Sequence, residues 1–384
     1  MKRFLIVILS YIIFFFNTNL ISNEKIDSLK VGLLVPFSGE YKNLGNSIMF
    51  SIQMALNEIG DDKLIIIPRD SGSGDKIKLN QSITEIINEG AKIIIGPISH
   101  NDFSVANKYK EIIFISPSNL QPNINKNIIS IGISLESQLG ALNKFIKKQN
   151  KKKTVILYPN NEYTEILDQK IKSLNLKNYK IFKYNPDPKV LTGEIEKLTN
   201  YSQRKRNLEL RKKILEKKED IKSVAELKSL EQKYTLGPVS FDSLIIIDFG
   251  NSLKSVLTSL IFSDVNQDDV LITTVNQWFD KSIFLENSLN RLFYPSVNYK
   301  NFQKYNKKYL KTFNIQPSEI TVLTYDALGL IYFVWKKNKK INSINNFFIK
   351  EKIKGKIGTF SINDGIVKQD LDIYKIENKE FTKF

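Results

Sequence analysis

The stretch AKIIIGPISHNDFSVANKYKEIIFISPSN, residues 91–119, contains two short apolar runs that end in small polar residues. The runs Ile93–Ile95 and Ile112–Ile115 lack the alternation of a half-exposed strand, which is typical of strands buried on both faces of a parallel sheet. Gly96-Pro97 and Ser116-Pro117 end them, because proline has no N–H for the hydrogen-bond ladder. Residues 101–110, between the runs, have the length of a helix. This stretch therefore predicts a strand–helix–strand unit.

Polar side chains at the ends of the two predicted strands are the first candidates for a binding site. Ligands of open α/β sheets bind beyond the carboxyl ends of the strands. We therefore expect a group of residues to face one cleft: Ser99, His100, Ser116, Ser118 and Asn119. Two other interpretations stay open, namely that the serines are ordinary turn residues and that the imidazole is a solvated side chain.

The rest of the chain also alternates between predicted strands and helices. Its 384 residues exceed what one hydrophobic core normally accommodates, so two lobes are predicted. The predicted strands are Val31–Val35, Leu64–Ile67, Thr154–Tyr158, Lys180–Tyr184, Leu244–Ile247, Val270–Thr274, Thr359–Asp364 and Leu371–Ile376. The predicted helices between them are Asn43–Ile59, Lys76–Asn88, Leu135–Lys148, Ile166–Leu174, Asn301–Phe313 and Thr324–Lys337. This order predicts parallel, doubly wound sheets with right-handed crossovers.

The first 22 residues have the character of a secretory signal peptide. Met1-Lys2-Arg3 precedes an apolar run over residues 4–16, which is shorter than the roughly 20 residues that a membrane-spanning helix needs. We expect export to the periplasm, with residues 1–22 outside the fold. Because no Ala-x-Ala site follows, an uncleaved N-terminal anchor stays open as the one expected membrane contact.

The composition argues against several classes of function. The chain has no cysteine and one histidine, which leaves little for disulfides, thiolate catalysis or zinc sites. No carboxylate pair, phosphate-binding loop or nucleophile elbow stands out, so we expect no enzyme activity, no cofactor and no metal. The net charge is +17, but no nucleic-acid motif accompanies it. A bias towards Lys, Asn and Ile explains the charge more simply, and a salt-sensitive attraction to anionic envelope surfaces is the alternative.

Residues 200–233 interrupt the strand–helix alternation. They contain no Gly or Pro and carry leucines at helical spacing between charges, which predicts a helical insertion. We expect Leu208, Leu215, Leu227 and Leu230 to pack together, and Arg204, Arg206, Arg211, Lys212 and Lys213 to stay outside. The insertion is either a solvated element without a partner or a docking surface for another protein.

Several motifs together resemble the type I periplasmic binding proteins, the Leu/Ile/Val-receptor superfamily. They are VGLLVPFSG at Val31–Gly39, the two strand ends quoted first, YDALGL at Tyr325–Leu330 and GKIGTFSINDG at Gly355–Gly365. The resemblance implies a two-lobed α/β fold with crossings near residues 131–135, 290–298 and 364–368. Lobe 1 would contain residues 29–131 and 296–364, and lobe 2 residues 132–295 and 365–384, with the insertion in lobe 2.

Within that superfamily, the charged helical segment points to one branch. Followed by TLGPVSFDSLIII (Thr235–Ile247) and LITTVNQWFD (Leu271–Asp280), it resembles the penicillin-binding-protein activator family, envelope proteins that stimulate peptidoglycan synthases. The resemblance implies a non-enzymatic periplasmic regulator whose partner is a synthase or another envelope protein. The chain departs from that family in lacking the acylated cysteine.

The alternative function is that of an ABC-transporter receptor for an amino acid, an amide or a similar small polar ligand. The serines at the strand ends, with Ser38 after the first strand, would take a carboxylate, while Tyr158, Tyr163 and Trp278 would cover the rest of the ligand. Glu162 and Asp280 are the nearest acids for an α-ammonium, and neither falls at a well-supported position. We therefore expect no ordinary amino-acid affinity.

Overall fold

The structure is a computed structural model that describes residues 28–120, 127–174, 176–284, 291–349, 351–363 and 366–384. The predicted signal peptide and part of the predicted third crossing lie outside the described residues. None of the helices in the described ranges is long and apolar enough to cross a membrane.

The first lobe is built on a five-stranded parallel sheet. Its strands are β1 (Leu29–Val35), β2 (Leu64–Asp70), β3 (Ile93–Ile95), β4 (Ile113–Ser116) and β5 (Ile128–Ser130), in the order β2-β1-β3-β4-β5. The helices that connect them are α1 (Lys42–Ile59), α2 (Lys76–Asn88) and α3 (Phe103–Ala106). Ile94 and Ile95 are both fully buried although they face opposite sides of the sheet, which explains why the sequence there shows no alternation.

The connection between β3 and β4 contains less α-helix than the sequence predicts. Residues 101–110 were expected to be helical, but a 3₁₀ turn at His100–Asp102 leads into only four α-helical residues in α3. Asn107 then ends the helix, and the N–H groups of Lys108 and Tyr109 bond carbonyls three residues back. The tight turns bring Ile112 directly to the start of β4, so a longer helix is not needed to cross the sheet.

The second lobe is built on a seven-stranded mixed sheet. Its first five strands are β6 (Thr154–Pro159), β7 (Tyr179–Tyr184), β8 (Ser243–Ile246), β9 (Leu271–Thr274) and β10 (Leu292–Ser296). A small antiparallel sheet follows in the chain, with strands β11 (Ile353–Lys354), β12 (Thr359–Asn363) and β13 (Ile366–Asp370). The last strands, β14 (Asp372–Glu377) and β15 (Glu380–Lys383), return to the second sheet and complete the order β15-β14-β10-β9-β8-β6-β7.

Helices cover both faces of each main sheet. In the second lobe they are α4 (Leu135–Lys148), α5 (Thr164–Ser173), α6 (Pro188–Thr199), α7 (Tyr201–Leu215), α8 (Ile221–Glu231) and α9 (Gly250–Phe262). After β10 the chain returns to the first lobe with α10 (Tyr299–Phe313) and α11 (Thr321–Asn338), and α11 packs on α1, β3 and β4. The predicted two-lobed α/β fold is confirmed, with two sheets rich in parallel strands.

The residues of the predicted insertion form a helical hairpin, α7 and α8, which we refer to as the arm. Leu208, Leu215 and Leu230 are buried in a small cluster of their own, with Leu227 and Leu236 packed against it. Arg211 closes the hairpin through two hydrogen bonds of 2.7 Å to Glu226. Arg206 and Lys213 are exposed as expected, whereas Arg211 and Lys212 are half-buried.

Arg204 corrects the expectation that the arginines of the arm stay outside. Its side chain is buried and donates to the main-chain oxygens of Gly237 (2.9 Å), Ser263 (3.0 Å) and Asp264 (2.8 Å). Helical spacing places Arg204 on the same face as the buried Leu208, at the end of the arm that contacts the lobe through Ser263 and Asp264. A guanidinium can be buried there because several carbonyl oxygens accept its N–H groups.

Candidate binding cleft between the two lobes

A cavity of ≈ 300 Å³ lies between the two main sheets, at the carboxyl ends of their parallel strands. It opens where loops after β3, β4, β8 and β9 meet the start of α11 and the first crossing between the lobes. Its lining residues are Ile98, Ser99, His100, Pro117, Ser118, Asn119, Ile133, Gln138, Phe249, Asn276, Trp278, Ile320 and Leu323. This is where the topology of open α/β sheets places ligands.

The first lobe contributes a polar wall whose shape depends on Ser116. The Ser116 hydroxyl is fully buried; it donates to the Pro97 carbonyl oxygen at 2.6 Å and accepts from the Ser118 N–H at 3.2 Å. It thus joins the loop after β4 to the loop after β3 and sets the position of Ser118. The hydroxyl of Ser118 accepts from the Leu120 N–H at 3.2 Å. Among the described residues its own proton has no acceptor, so it is available to a ligand.

Gly132 allows the first crossing to approach this wall closely. Its N–H donates to the Ser118 carbonyl oxygen at 3.0 Å, and a Cβ at this position would collide with the same carbonyl. The close approach brings Ile133, the next residue, into the lining of the cavity.

The second lobe contributes Asn276, whose amide has a defined orientation. Its Oδ1 accepts the Trp278 N–H at 3.1 Å and the Ser296 hydroxyl at 2.7 Å. Because an N–H can donate only to the oxygen, the Nδ2 group must be the other end of the amide. The side chain is 4% exposed, and its Nδ2 has no hydrogen-bond partner among the described residues. Asn276 therefore offers an unpaired donor at the wall of the cavity.

Trp278 lines the cavity in an unusual backbone conformation. Its φ is 50°, and Phe279 follows with φ 61°, a left-handed conformation that is costly for residues with bulky side chains. Phe279 is held in a cluster of rings that includes Tyr294, Tyr299 and Tyr374. Packing of Phe279 thus stabilises the turn that directs Trp278 to the cleft.

No carboxylate or ammonium side chain lines this cavity in the part of the chain that the structure describes. Asp248, next to Phe249, is the nearest acid in sequence to a lining residue of the second lobe, but its carboxylate is already used. It accepts from the hydroxyls of Tyr184 and Ser252 and from the Phe249 N–H. A ligand ammonium in this cavity would have no anionic partner, whereas oxygen acceptors would find the Asn276 amide and the Ser118 hydroxyl.

Five of the residues selected from the sequence line the cavity: Ser99, His100, Ser118, Asn119 and Trp278. Ser116 lies beneath the wall. Ser38 lies outside the lining and donates to Asp70 at 2.6 Å. Tyr163 and Glu162 are exposed outside the lining, and Asp280 accepts from the Ser282 N–H at 2.8 Å at the start of a 3₁₀ turn.

The expectation that Tyr158 covers a ligand in the cleft is wrong, because its side chain does not face the cleft. Its side chain is fully buried beneath α4 and α5, and its hydroxyl donates to Asp168. Burial raises the pKa of the Tyr158 hydroxyl, and the Asp168 carboxylate raises it further. Successive side chains of a strand point to opposite faces, and β6 continues to Pro159, so Tyr158 belongs to the packed face rather than to the strand end.

Eight of the lining residues were not selected from the sequence, and Gln138, Phe249 and Asn276 are among them. Phe249 and Asn276 follow the ends of predicted strands, so the rule that selected the first-lobe serines could have found them. Gln138 gave no such signal, because it lies within α4 rather than at a strand end. Its Oε1 accepts the Asn276 N–H at 2.8 Å, and its Nε2 donates to the Ile133 carbonyl oxygen at 3.0 Å. In the described ranges, no group of three or more His, Cys, Asp or Glu is placed to hold a metal ion.

Comparison with known proteins agrees with this architecture. A family model described as periplasmic binding protein matches residues 28–174, which is less than half of the chain. No curated protein matches the chain.

Solved structures of similar fold cover nearly the whole chain. A putative branched-chain amino acid ABC transporter protein from Rhodospirillum rubrum has a TM-score of 0.68 at 11% identity, covering 93% of this chain and 100% of that one. The C-domain of LpoA from Haemophilus influenzae, a regulator of PBP1A, has a TM-score of 0.60 at 14% identity, covering 92% and 99%. The leucine binding protein LivK from Thermotoga maritima has a TM-score of 0.56 at 12% identity, covering 93% and 97%.

The chain therefore has the fold of the type I periplasmic binding proteins. At these identities the similarity establishes the fold alone, and it does so equally with amino-acid binding proteins and with LpoA.

Proposed function

We propose that this protein is a non-enzymatic periplasmic protein that regulates a peptidoglycan synthase through protein contacts. The observation that carries the proposal is the arm, which presents apolar side chains to solvent. Leu210 is 52% exposed, Ile214 50%, Ile221 88% and Val224 56%. The C-domain of LpoA, a regulator of PBP1A, has the same fold, so the fold is compatible with this function.

These exposed side chains are not needed to fold the arm. The hairpin already has a core of leucines and the Arg211–Glu226 ion pair, so the outward Ile and Val contribute little to its stability. Apolar residues that remain in water on a protruding element favour association, because contact with a partner removes their surface from water. Residues 200–233 also carry eleven basic and six acidic side chains, so the matching face of the synthase should be apolar with an acidic margin.

Deletion of the arm tests the proposal. The N–H of Leu236 donates to the carbonyl oxygen of Arg204 at 3.0 Å, so the two ends of the arm are adjacent. Residues 206–233 can thus be replaced by a four-residue Gly/Ser loop while Arg204 keeps its contacts, since closing so short a gap costs little. We expect the shortened protein to fold and to lose co-purification with the synthase.

A point substitution gives a finer test with a matched control. Ile221→Ser in the arm should weaken synthase binding, whereas Ile77→Ser, at another exposed isoleucine (83%) in α2, should leave it unchanged. Full synthase binding by the folded deletion variant would overturn the proposal.

A second candidate function is that of a receptor for a small ligand, and the unpaired Asn276 donor favours it. With the Ser118 hydroxyl and the Trp278 ring, this donor suits an amide, a carboxylate or a similar oxygen acceptor with an apolar part. A zwitterionic amino acid would leave its ammonium unpaired in the cleft, at a cost of several kcal/mol. Thermal-shift measurements distinguish the cases: leucine, isoleucine and valine should leave the melting temperature unchanged, and a clear rise with any of them would favour an amino-acid receptor.

A further inference from the structure

A second and larger cavity, of ≈ 680 Å³, lies in the first lobe and shares no lining residue with the cleft. The end of α1, the middle of α11, β11 and the turn before β12 form its walls. We refer to it as the α11 cavity. Its volume falls within the range of about 300–1,000 Å³ that is typical of small-molecule sites.

The α11 cavity has an apolar floor. The side chains that form it are Leu330, Phe333, Ile349, Ile353 and Phe360. Phe333 is 48% exposed at the end of this floor, although it belongs to a helix whose other large side chains are mostly buried. An exposed ring beside a recess of this size suits an apolar group that fits into the recess.

Three acidic residues line the α11 cavity: Asp326, which accepts the Lys356 N–H at 2.6 Å, Glu351, which is exposed, and Glu58. Glu58, at the inner wall, is already neutralised by the protein. Burial alone would raise its pKa, but hydrogen bonds from Lys308 (2.6 Å), Tyr325 and Lys356 (2.9 Å) lower that pKa to about 2. Lys356 is consequently engaged. Lys352, at the rim, is likewise paired with Asp370 at 2.5 Å.

Two other lysines that line the cavity, Lys337 and Lys354, have no acidic partner among the described residues. They also lie in the most basic part of the chain. Residues 299–356 contain thirteen lysines and three acidic residues, a net charge of +10 out of +17 for the whole protein. The lysines are therefore concentrated in this part of the chain, and the field around the cavity favours an anion.

We propose that the α11 cavity binds a single anionic amphiphile, a carboxylate with a medium-length acyl chain. The acyl chain would lie on the floor against Phe333 and Ile353, and the carboxylate would be held between Lys337 and Lys354. A recessed cavity admits one molecule at a time. Elements that bind a bilayer surface instead present their apolar side chains on a protruding face, so an isolated amphiphile fits this geometry better than a membrane does.

The test is titration of the purified protein with decanoate below its micelle concentration, followed by calorimetry. We expect saturable binding of one decanoate per protein, weaker binding of decanol, which lacks the charge, and no binding of decyltrimethylammonium. Lys337→Glu and Lys354→Glu should each weaken decanoate binding about fivefold or more, because each reverses a charge beside the carboxylate. Lys311→Glu, an exposed lysine of the same basic region outside the lining, is the matched control and should change binding less than twofold.

A second pair of variants tests the apolar floor. Phe333→Ser should abolish detectable binding, whereas Phe262→Ser, at a ring that is 71% exposed in the other lobe, should leave it intact. Equal losses in Lys337→Glu and Lys311→Glu would overturn the proposal, as would binding to phosphatidylglycerol vesicles without binding to monomeric decanoate. The arm-deletion variant should bind decanoate normally, so this test is independent of the proposed synthase contact.

Discussion

At the scale of single residues, Arg204 shows how one buried charge can attach an added element to the lobe. Its guanidinium bonds three main-chain carbonyls, at Gly237, Ser263 and Asp264, and the Asp264 carboxylate lies 4.0 Å from it. Burial lowers the pKa of Arg204, and Asp264 opposes that effect. The carbonyls belong to segments beyond the arm, so this one side chain sets where the arm begins.

Replacement of Arg204 should therefore be costly. Arg204→Ala leaves three carbonyl oxygens without a charged donor, and we expect a loss of about 3 kcal/mol in the free energy of unfolding. Arg206→Ala, two residues along and exposed, should change it by less than about 0.5 kcal/mol. Urea unfolding monitored by circular dichroism measures both, and similar values for the two variants would show that Arg204 does not anchor the arm.

The raised pKa of Asp326 should make the stability of the protein depend on pH. Burial raises its pKa from 3.8 to about 7, although N–H donation from Lys356 and Ile357 and the charge of Lys356 oppose the rise. Because the folded carboxyl keeps its proton at pH values where the unfolded one has lost it, this residue lowers stability progressively from pH 3.8 to about 7 and by a constant amount above.

Asp326→Asn removes this titration while keeping an oxygen to accept the Lys356 N–H. Relative to the wild type, the melting temperature of the variant should rise between pH 4 and about 7 and then stay level. Asp62→Asn, at an exposed position, is the control. A difference between Asp326→Asn and wild type that does not vary with pH would contradict the assignment.

At the scale of secondary structure, α1 shows how a helix can be constrained by one close approach. Gly45, in its first turn, lies against the Pro36 carbonyl that follows β1, and a Cβ there would collide with that main-chain group. Packing therefore requires glycine at this position, although glycine is less favourable than alanine within a helix.

Two of the helical glycines, Gly45 and Gly193, should respond oppositely to alanine. Gly45→Ala must displace main chain and should destabilise the fold by about 1–3 kcal/mol. Gly193→Ala in α6 meets nothing within 4 Å and should stabilise it by up to about 1 kcal/mol through helix propensity. Thermal denaturation of both variants checks the signs, and a neutral Gly45→Ala would mean that α1 can shift freely.

At the scale of the whole molecule, one side chain ties the first crossing between the lobes to the end of β13. Gln369, near the C-terminal end of β13, donates through Nε2 to the carbonyl oxygens of Ile131 (3.0 Å) and Gly132 (2.5 Å) in the first crossing. Its own N–H bonds the Ser137 hydroxyl at 3.1 Å. The first crossing and the end of β13 are thereby held side by side.

Gln369→Ala should loosen this junction. Loss of the side-chain bonds to two carbonyls should cost about 1–2 kcal/mol of unfolding free energy and accelerate hydrogen exchange in residues 128–138. Lys368→Ala, at the exposed neighbouring position, is the control for the substitution itself. Unchanged exchange in that segment would show that Gln369 does not couple β13 to the first crossing.

Much of this architecture follows from local patterns that the chain itself carries. Fully apolar runs such as Ile93–Ile95 predict buried parallel strands, and the Gly-Pro and Ser-Pro pairs predict where strands end. From those ends alone, the positions of Ser99 and Ser118 at the cleft could be anticipated, because parallel strands of one sheet end at the same edge. Leucines at helical spacing likewise predict the arm.

Other features depend on which surfaces meet, and for these a local pattern carries no information. Whether Tyr158 faces the cleft or α5 depends on which face of β6 is covered by the helices of the second lobe. Whether Arg204 is solvated depends on carbonyls 33 to 60 residues away in the chain. The Asn276 donor and the α11 cavity arise in the same way, since hydrogen bonds and packing between distant segments decide which polar groups are paired and which spaces stay open.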